Sequence, residues 1–185
     1  MTAYGPAGPV PPPQLTRVLG VSVSLPEPIG SQLRAVRERL GDPEVDSVPS
    51  HVTLLPPTTV DHVLLPEIHA HLTAVAAKTD PFRIRLRGSG TFRPVSPVVF
   101  VALAEGIAAC EMLETRVRAA VLWRPVLFPY HPHVTIAHDV PAAVLDAALE
   151  ELEGYAADFT ADRFVLYEHL DGVWVPDHEY AFATG

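Results

Sequence analysis

The sequence predicts an α+β fold built as two similar βαβαβ halves that face each other about a pseudo-twofold axis. Three observations carry that expectation. Strand-like stretches of alternating polarity are interleaved with amphipathic helical stretches along the 185 residues. Their spacing repeats: Thr16 to His51 is 51 − 16 = 35 positions, and Pro97 to His133 is 133 − 97 = 36. The single cysteine, Cys110, can form neither an internal disulfide nor a cysteine-rich zinc site, so the chain must be held by an apolar core.

Each element has its own reason. Met1 to Leu15 holds five prolines and no charged side chain, which reads as a polyproline-like, disordered tail over residues 1–15. The folded domain is expected over 16–185, with halves at about 16–90 and 91–185. Arg17 to Ser24 alternates and is rich in valine, as a strand requires. Ser31 to Leu40 sets Leu33, Val36 and Leu40 on one helical face, with Ser31 as a candidate N-cap and Gly41 as a left-handed stop. His51 to Leu55 reads as a strand closed by Pro56-Pro57. Pro66 opens a helix with Ile68, Leu72 and Val75 inward. Phe82 to Leu86 is a strand with Arg83, Arg85 and Arg87 on the solvent side.

The second half follows the same plan. Pro97 to Leu103 is a strand, and Ile107, Cys110, Leu113 and Val117 form a helical stripe. His133 to Ala137 is a strand, Pro141 opens a helix, and Arg163 to Tyr167 with Val173 to Phe182 make a hairpin through Asp171-Gly172.

A net charge of −9 argues against a groove that tracks the phosphates of duplex DNA, yet leaves room for a small anion at a local site. No apolar run approaches the roughly 18 residues that span a bilayer, so no membrane partner is expected and the protein is read as cytoplasmic.

The chemistry concentrates at matching places in the halves. His51-Val52-Thr53-Leu54 and His133-Val134-Thr135-Ile136 are each His, apolar, Thr, apolar. On a strand, residues two apart share a face, so each tetrad presents an imidazole beside a hydroxyl. About a twofold, the two sets converge on one cleft. A neutral imidazole can take a proton from an attacking hydroxyl while a charged one protonates a leaving oxygen. The threonine hydroxyls can hold the non-bridging oxygens of a phosphate, so no cofactor or metal is required. Chance supplies roughly 0.2 such tetrads in a chain of this composition, so a pair at equivalent positions is informative. A third match, His71-Leu72-Thr73-Ala74, falls in a helical stretch, where residues two apart diverge.

The paired tetrads, and above all Tyr130-His131-Pro132-His133-Val134-Thr135-Ile136-Ala137-His138, resemble the 2H phosphoesterase superfamily. The branch resembled is that of the bacterial 2′-5′ RNA ligase-like proteins and RNA 2′,3′-cyclic phosphodiesterases. The resemblance runs from Thr16 to Phe182. It implies a bilobal fold with antiparallel-rich sheets lining a central cleft and helices outside. It also implies catalysis by His51 and His133 without a metal, and phosphate contacts from Thr53 and Thr135. The expected activity is hydrolysis of 2′,3′-cyclic phosphate ends of RNA or of small cyclic or 2′-5′ nucleotides. The alternatives are 2′-5′ end joining by the same site, or a nucleotide- or RNA-end-binding module without turnover. One position departs: several members carry an Arg three residues after the second Thr, where this chain has His138.

Further candidates for substrate contact are Tyr130, as a stacking or phosphate-touching group, His138, and Phe92 with Arg93 between the halves. His131, His133, His138 and Asp139 are close enough in sequence to weigh as a metal site, a reading set below the phosphate one. Cys110 lies on an apolar stripe and reads as core rather than nucleophile.

Overall fold

The computed structural model describes residues 15–126 and 128–183, so Met1 to Gln14 of the expected tail lie outside the described residues. Leu15 is tied down, its carbonyl accepting from the His62 backbone N–H at 2.9 Å. The chain runs β1 (Thr16–Ser24), α1 (Ile29–Leu40), β2 (His51–Asp61), α2 (Leu65–Ala76), β3 (Phe82–Thr91), β4 (Val99–Glu105) and α3 (Ile107–Val117). It continues through β5 (His133–Ala137), α4 (Ala142–Glu151), β6 (Ala156–Ala161), β7 (Arg163–Leu170) and β8 (Val173–Ala181). Two four-stranded antiparallel sheets result, ordered β2-β1-β7-β8 and β5-β4-β3-β6. The α+β, two-lobed architecture is the one expected.

Residues near 90 do not divide the two sheets. β3 follows α2 in sequence but pairs with β4 and β6, and the β7–β8 hairpin returns to pair with β1. Each sheet therefore takes strands from both sequence halves. The helices cross in the same reciprocal way: α1 packs against β5 and α3 against β2. One continuous apolar core joins both sheets, with Leu19, Leu33, Leu54, Ile84, Leu113, Ile136 and Phe164 all essentially buried. Burying such side chains is worth about 1.5–3 kcal/mol each, so the lobes are bonded through shared apolar area.

Several local readings need correction. Pro56-Pro57 does not end its strand, because β2 lies at a sheet edge and the pairing skips from Leu55↔Val21 to Thr58↔Leu19. Prolines that cannot donate are accommodated at such an irregularity. Ser31 is not the cap of α1; the helix starts two residues earlier after Pro28, and Ser31 Oγ donates to the Pro28 carbonyl at 3.0 Å. Gly41 does close the helix, at φ 73°. β6 was not expected, since Ala156 to Ala161 has no β-branched run; it forms because β3 offers a free edge. The hairpin turn at Asp171-Gly172 has φ of 49° and 85°, as a two-residue turn of the primed type needs.

The candidate active site

Both His-x-Thr tetrads lie at the start of edge strands, β2 and β5, which pack against each other across the two sheets. Their burial repeats residue for residue. His51 and Thr53, like His133 and Thr135, are half-buried, whereas Val52, Leu54, Val134 and Ile136 are buried. The pairing also breaks at the same place in each. Ser22↔Thr53 is followed by Val21↔Leu55, and Phe100↔Thr135 by Val99↔Ala137, so Leu54 and Ile136 are bulged residues. A bulge twists the strand and re-aims the side chains beside it. It also turns two consecutive residues inward, which is why Leu54-Leu55 and Ile136-Ala137 are all buried.

The imidazoles are held in one tautomer. His51 Nδ1 lies 2.7 Å from the Pro49 carbonyl, and His133 Nδ1 lies 2.7 Å from the His131 carbonyl. A carbonyl can only accept, so both Nδ1 atoms carry the proton and both Nε2 atoms are free to exchange one. His51 Nε2 then accepts from Thr53 Oγ1 at 3.1 Å. Burial lowers the proton affinity of both rings below that of a free imidazole. The carbonyl bonds oppose that shift, while Arg37 and His133 deepen it for His51, and His131 deepens it for His133.

A cavity of about 350 Å³ opens beside these strands, lined by His51, Thr53, Thr135 and His138 among others. His133 is not part of that lining; its ring packs edge-on to Phe92 at 4.9 Å and tilted on Phe100 at 5.1 Å. Phe92 therefore acts as a wall for His133. Arg93 is occupied by Asp146, at 2.7 Å. Tyr130 turns away from the cavity lining and donates its hydroxyl to the Thr53 carbonyl at 2.8 Å, bracing β2 from the loop before β5. Burial keeps that phenol protonated and able to donate. Burial likewise pushes the Cys110 thiol up to about 12, which suits a core residue. His71, on α2, bonds the Val117 carbonyl at 3.1 Å and takes no part in the cavity. Arg83 and Arg85 pair with Asp158 and Glu105. Among the described residues, no three His, Cys, Asp or Glu side chains gather as a metal site, so His131, His133, His138 and Asp139 do not form one.

Two of the cavity residues that the sequence reading does not single out bear on its chemistry. Arg37 lines the cavity from α1, and Ser50 lines it from the residue before His51. Both are buried. The signal for Arg37 was its place four residues after Leu33 on the inward face.

The sequence profile of the 2′-5′ RNA ligase superfamily matches residues 25–173. The chain belongs to that superfamily, the 2H phosphoesterases. Superfamily members with similar sequences include a protein of Oceanobacillus iheyensis described as a candidate phosphoesterase, 30% identical over 82% of this chain and 89% of its own. A Geobacillus kaustophilus protein with the same description is 27% identical over 84% of this chain and 90% of its own. The fold matches that of LigT from E. coli without ligand, with a TM-score of 0.65, 19% identity, 92% of this chain and 99% of LigT covered. LigT has also been solved with NADP+, with 3′-AMP and with ATP. This 2H phosphoesterase thus shares the family's two-sheet architecture over nearly all its described length.

Proposed function

We propose that this 2H phosphoesterase opens 2′,3′-cyclic phosphates, at RNA 3′ ends or on small nucleotides, and cleaves related 2′-5′ linkages. His51 and His133 act as the acid–base pair, and Thr53 and Thr135 hold phosphate oxygens. The observation that carries this reading is the matched pair of half-buried imidazoles. Each has Nδ1 locked on a backbone carbonyl and Nε2 left to move a proton.

The chemistry follows from that arrangement. One Nε2 takes a proton from water as the water oxygen bonds to phosphorus. The other, protonated, gives its proton to the ribose oxygen as the P–O bond to it breaks. After turnover the two rings have exchanged roles, and one proton transfer through solvent resets them. The threonine hydroxyls donate to the non-bridging oxygens as charge grows there, Thr53 turning its O–H from His51 Nε2 to the phosphate. The rest of the cavity supports a nucleoside as the carried group: Gly20, Leu55, Pro56, Pro57 and Trp174 give it an apolar side. Gly20 matters locally, because a Cβ there would lie 3.1 Å from the Trp174 ring. The nucleotides bound to LigT point the same way.

The test is incubation with 2′,3′-cyclic nucleotides and with short RNA ending in a cyclic phosphate, in excess chelator, with the product isomer identified. The expected outcome is hydrolysis to one phosphomonoester isomer at a rate the chelator does not change. Binding without turnover on every cyclic or 2′-5′ substrate would replace this reading with that of a binding module. Joined ends in place of hydrolysis would replace it with ligation.

A further inference from the structure

We propose that Arg37 binds the charge of the substrate phosphate, with the buried carboxylate of Asp42 holding its guanidinium in position. This rests on the phosphodiesterase reading, and it concerns a residue outside both tetrads. Among the described residues, Arg37 is the one Lys or Arg lining the cavity. It reaches there because Leu33 and Arg37, four apart on α1, both face inward.

Its burial is extreme for a guanidinium: the side chain is 5% exposed, and that of its partner Asp42 is 0%. An arginine so placed is tolerated only when its donors are met. Nε donates to Asp42 Oδ2 at 2.6 Å and Nη1 to the Val48 carbonyl at 2.6 Å. The left-handed Gly41 makes the first contact possible by turning the chain so that the Asp42 N–H bonds the Arg37 carbonyl at 3.0 Å. Two donors of one planar group are thus fixed within the protein, which leaves the third nitrogen, Nη2, to serve an oxygen in the cavity. A fixed guanidinium of this kind is suited to phosphate, where geometry as well as charge is recognised.

Independent atoms beside the same wall lack hydrogen-bond partners. Ser50 and His138 line the cavity, and among the described residues neither Ser50 Oγ nor His138 Nδ1, both buried atoms, makes a hydrogen bond. His138 Nδ1 lies 3.5 Å from Asp42 Oδ1, the oxygen that Arg37 does not use. A buried hydroxyl left unpaired, as that of Ser50 is, costs stability, and turning it towards a bound oxyanion would remove that cost. Glu44 also lines the cavity and keeps its negative charge, its Oε2 accepting from Ser47 Oγ at 2.7 Å, so the attraction for an anion there comes from the guanidinium. The wall beside His51 therefore offers Arg37 to a phosphate, with Ser50 and His138 beside it.

The test compares Arg37→Met, Arg37→Lys, Asp42→Asn and Ser50→Ala with wild type. The readouts are kcat and KM on a 2′,3′-cyclic nucleotide, and the affinity for inorganic phosphate by calorimetry. Arg37→Met should lower kcat/KM by about 100- to 1,000-fold, as loss of a charge-stabilising donor does, and weaken phosphate binding at least tenfold. Arg37→Lys should restore part of both. Asp42→Asn should weaken phosphate binding without moving the pH profile. Ser50→Ala, whose hydroxyl has no partner to lose, should keep the wild-type melting temperature and still weaken phosphate binding. A folded Arg37→Met protein with wild-type phosphate affinity would overturn the proposal. If that variant does not fold, an Arg37→Gln or Ser50→Ala protein that binds phosphate as wild type does would overturn it equally. The phosphate measurement needs no turnover. A wild-type protein that binds phosphate through Arg37 yet cleaves no cyclic phosphate would refute the activity and leave this assignment standing.

Discussion

Cleavage of 2′,3′-cyclic nucleotides should fall steadily with rising pH across the neutral range, because both tetrad histidines release protons more readily than free imidazole. Burial is the main cause at each ring; the carbonyl bonds at Nδ1 oppose it, and neighbouring Arg37, His133 and His131 add to it. The proposed reaction needs one ring charged and one neutral in the free enzyme, and kcat/KM reports that population. With both proton affinities below 6.5, the singly protonated form falls about tenfold per pH unit above that value, hence about 100-fold from pH 6.5 to 8.5. The assay is initial rate at low substrate over pH 4.5 to 8.5, with enzyme integrity checked at each end. An alkaline limb centred above pH 7.5, or a flat profile between 6.5 and 8.5, would refute the reasoning. Stability gives a second check of the same shifts. A histidine with a folded pKa below its unfolded one binds more protons when unfolded. Its contribution is therefore present above pH 6.5 and is lost as pH falls towards the folded value. The slope is at most about 1.4 kcal/mol per pH unit for each ring. Urea midpoints of wild type should drop between pH 7 and 5.5 more than those of the His51→Gln variant.

Other substitutions separate the site from its surroundings. His51→Ala and His133→Ala should each lower kcat by about 100- to 10,000-fold, and Thr53→Ala or Thr135→Ala by less, measured on the same cyclic nucleotide. His71→Ala should keep activity within about twofold and cost about 1 kcal/mol of stability, since it loses only its bond to Val117. Gly90→Ala puts a Cβ 2.6 Å from the Phe100 ring, which backs His133; it should cost about 1–3 kcal/mol in urea unfolding and lower kcat. Tyr130→Phe removes the donor to the Thr53 carbonyl and should cost about 1 kcal/mol, with KM raised as β2 loosens.

Local order was legible wherever a periodic pattern coincided with a chemical signal. The strand from His133 to Ala137, the apolar stripe of α3 and the Asp171-Gly172 turn all follow from residue types and spacing. What escaped is decided by contacts between distant segments. Nothing in Phe82 to Leu86 says that this strand will pair with Val99–Glu105 and not with β1, because its alternation suits either neighbour. Ala156 to Ala161 is a strand only because the β3 edge is available. Proline pairs read as terminators, yet Pro56-Pro57 sits within β2, where an edge strand has no partner on one side to disappoint.

The exchange of β3 and of the β7–β8 hairpin between sheets bears directly on the site. With every strand kept in its own half, each sheet could fold around a private core and the two tetrads would meet only through a hinge. Here α1 packs on β5 and α3 on β2, so each motif strand is braced by a helix from the other half. That crossing is also what carries Arg37, a residue of the first half, to a cavity that includes Thr135 and His138 of the second. Helical spacing puts Arg37, and not Arg34 or Arg39, on the face of Leu33, yet it does not say what that face meets. Only the packing of α1 takes that face to the cavity. The tetrads were therefore readable because their pattern is local. The cation beside them was not, because its position is a product of the swap.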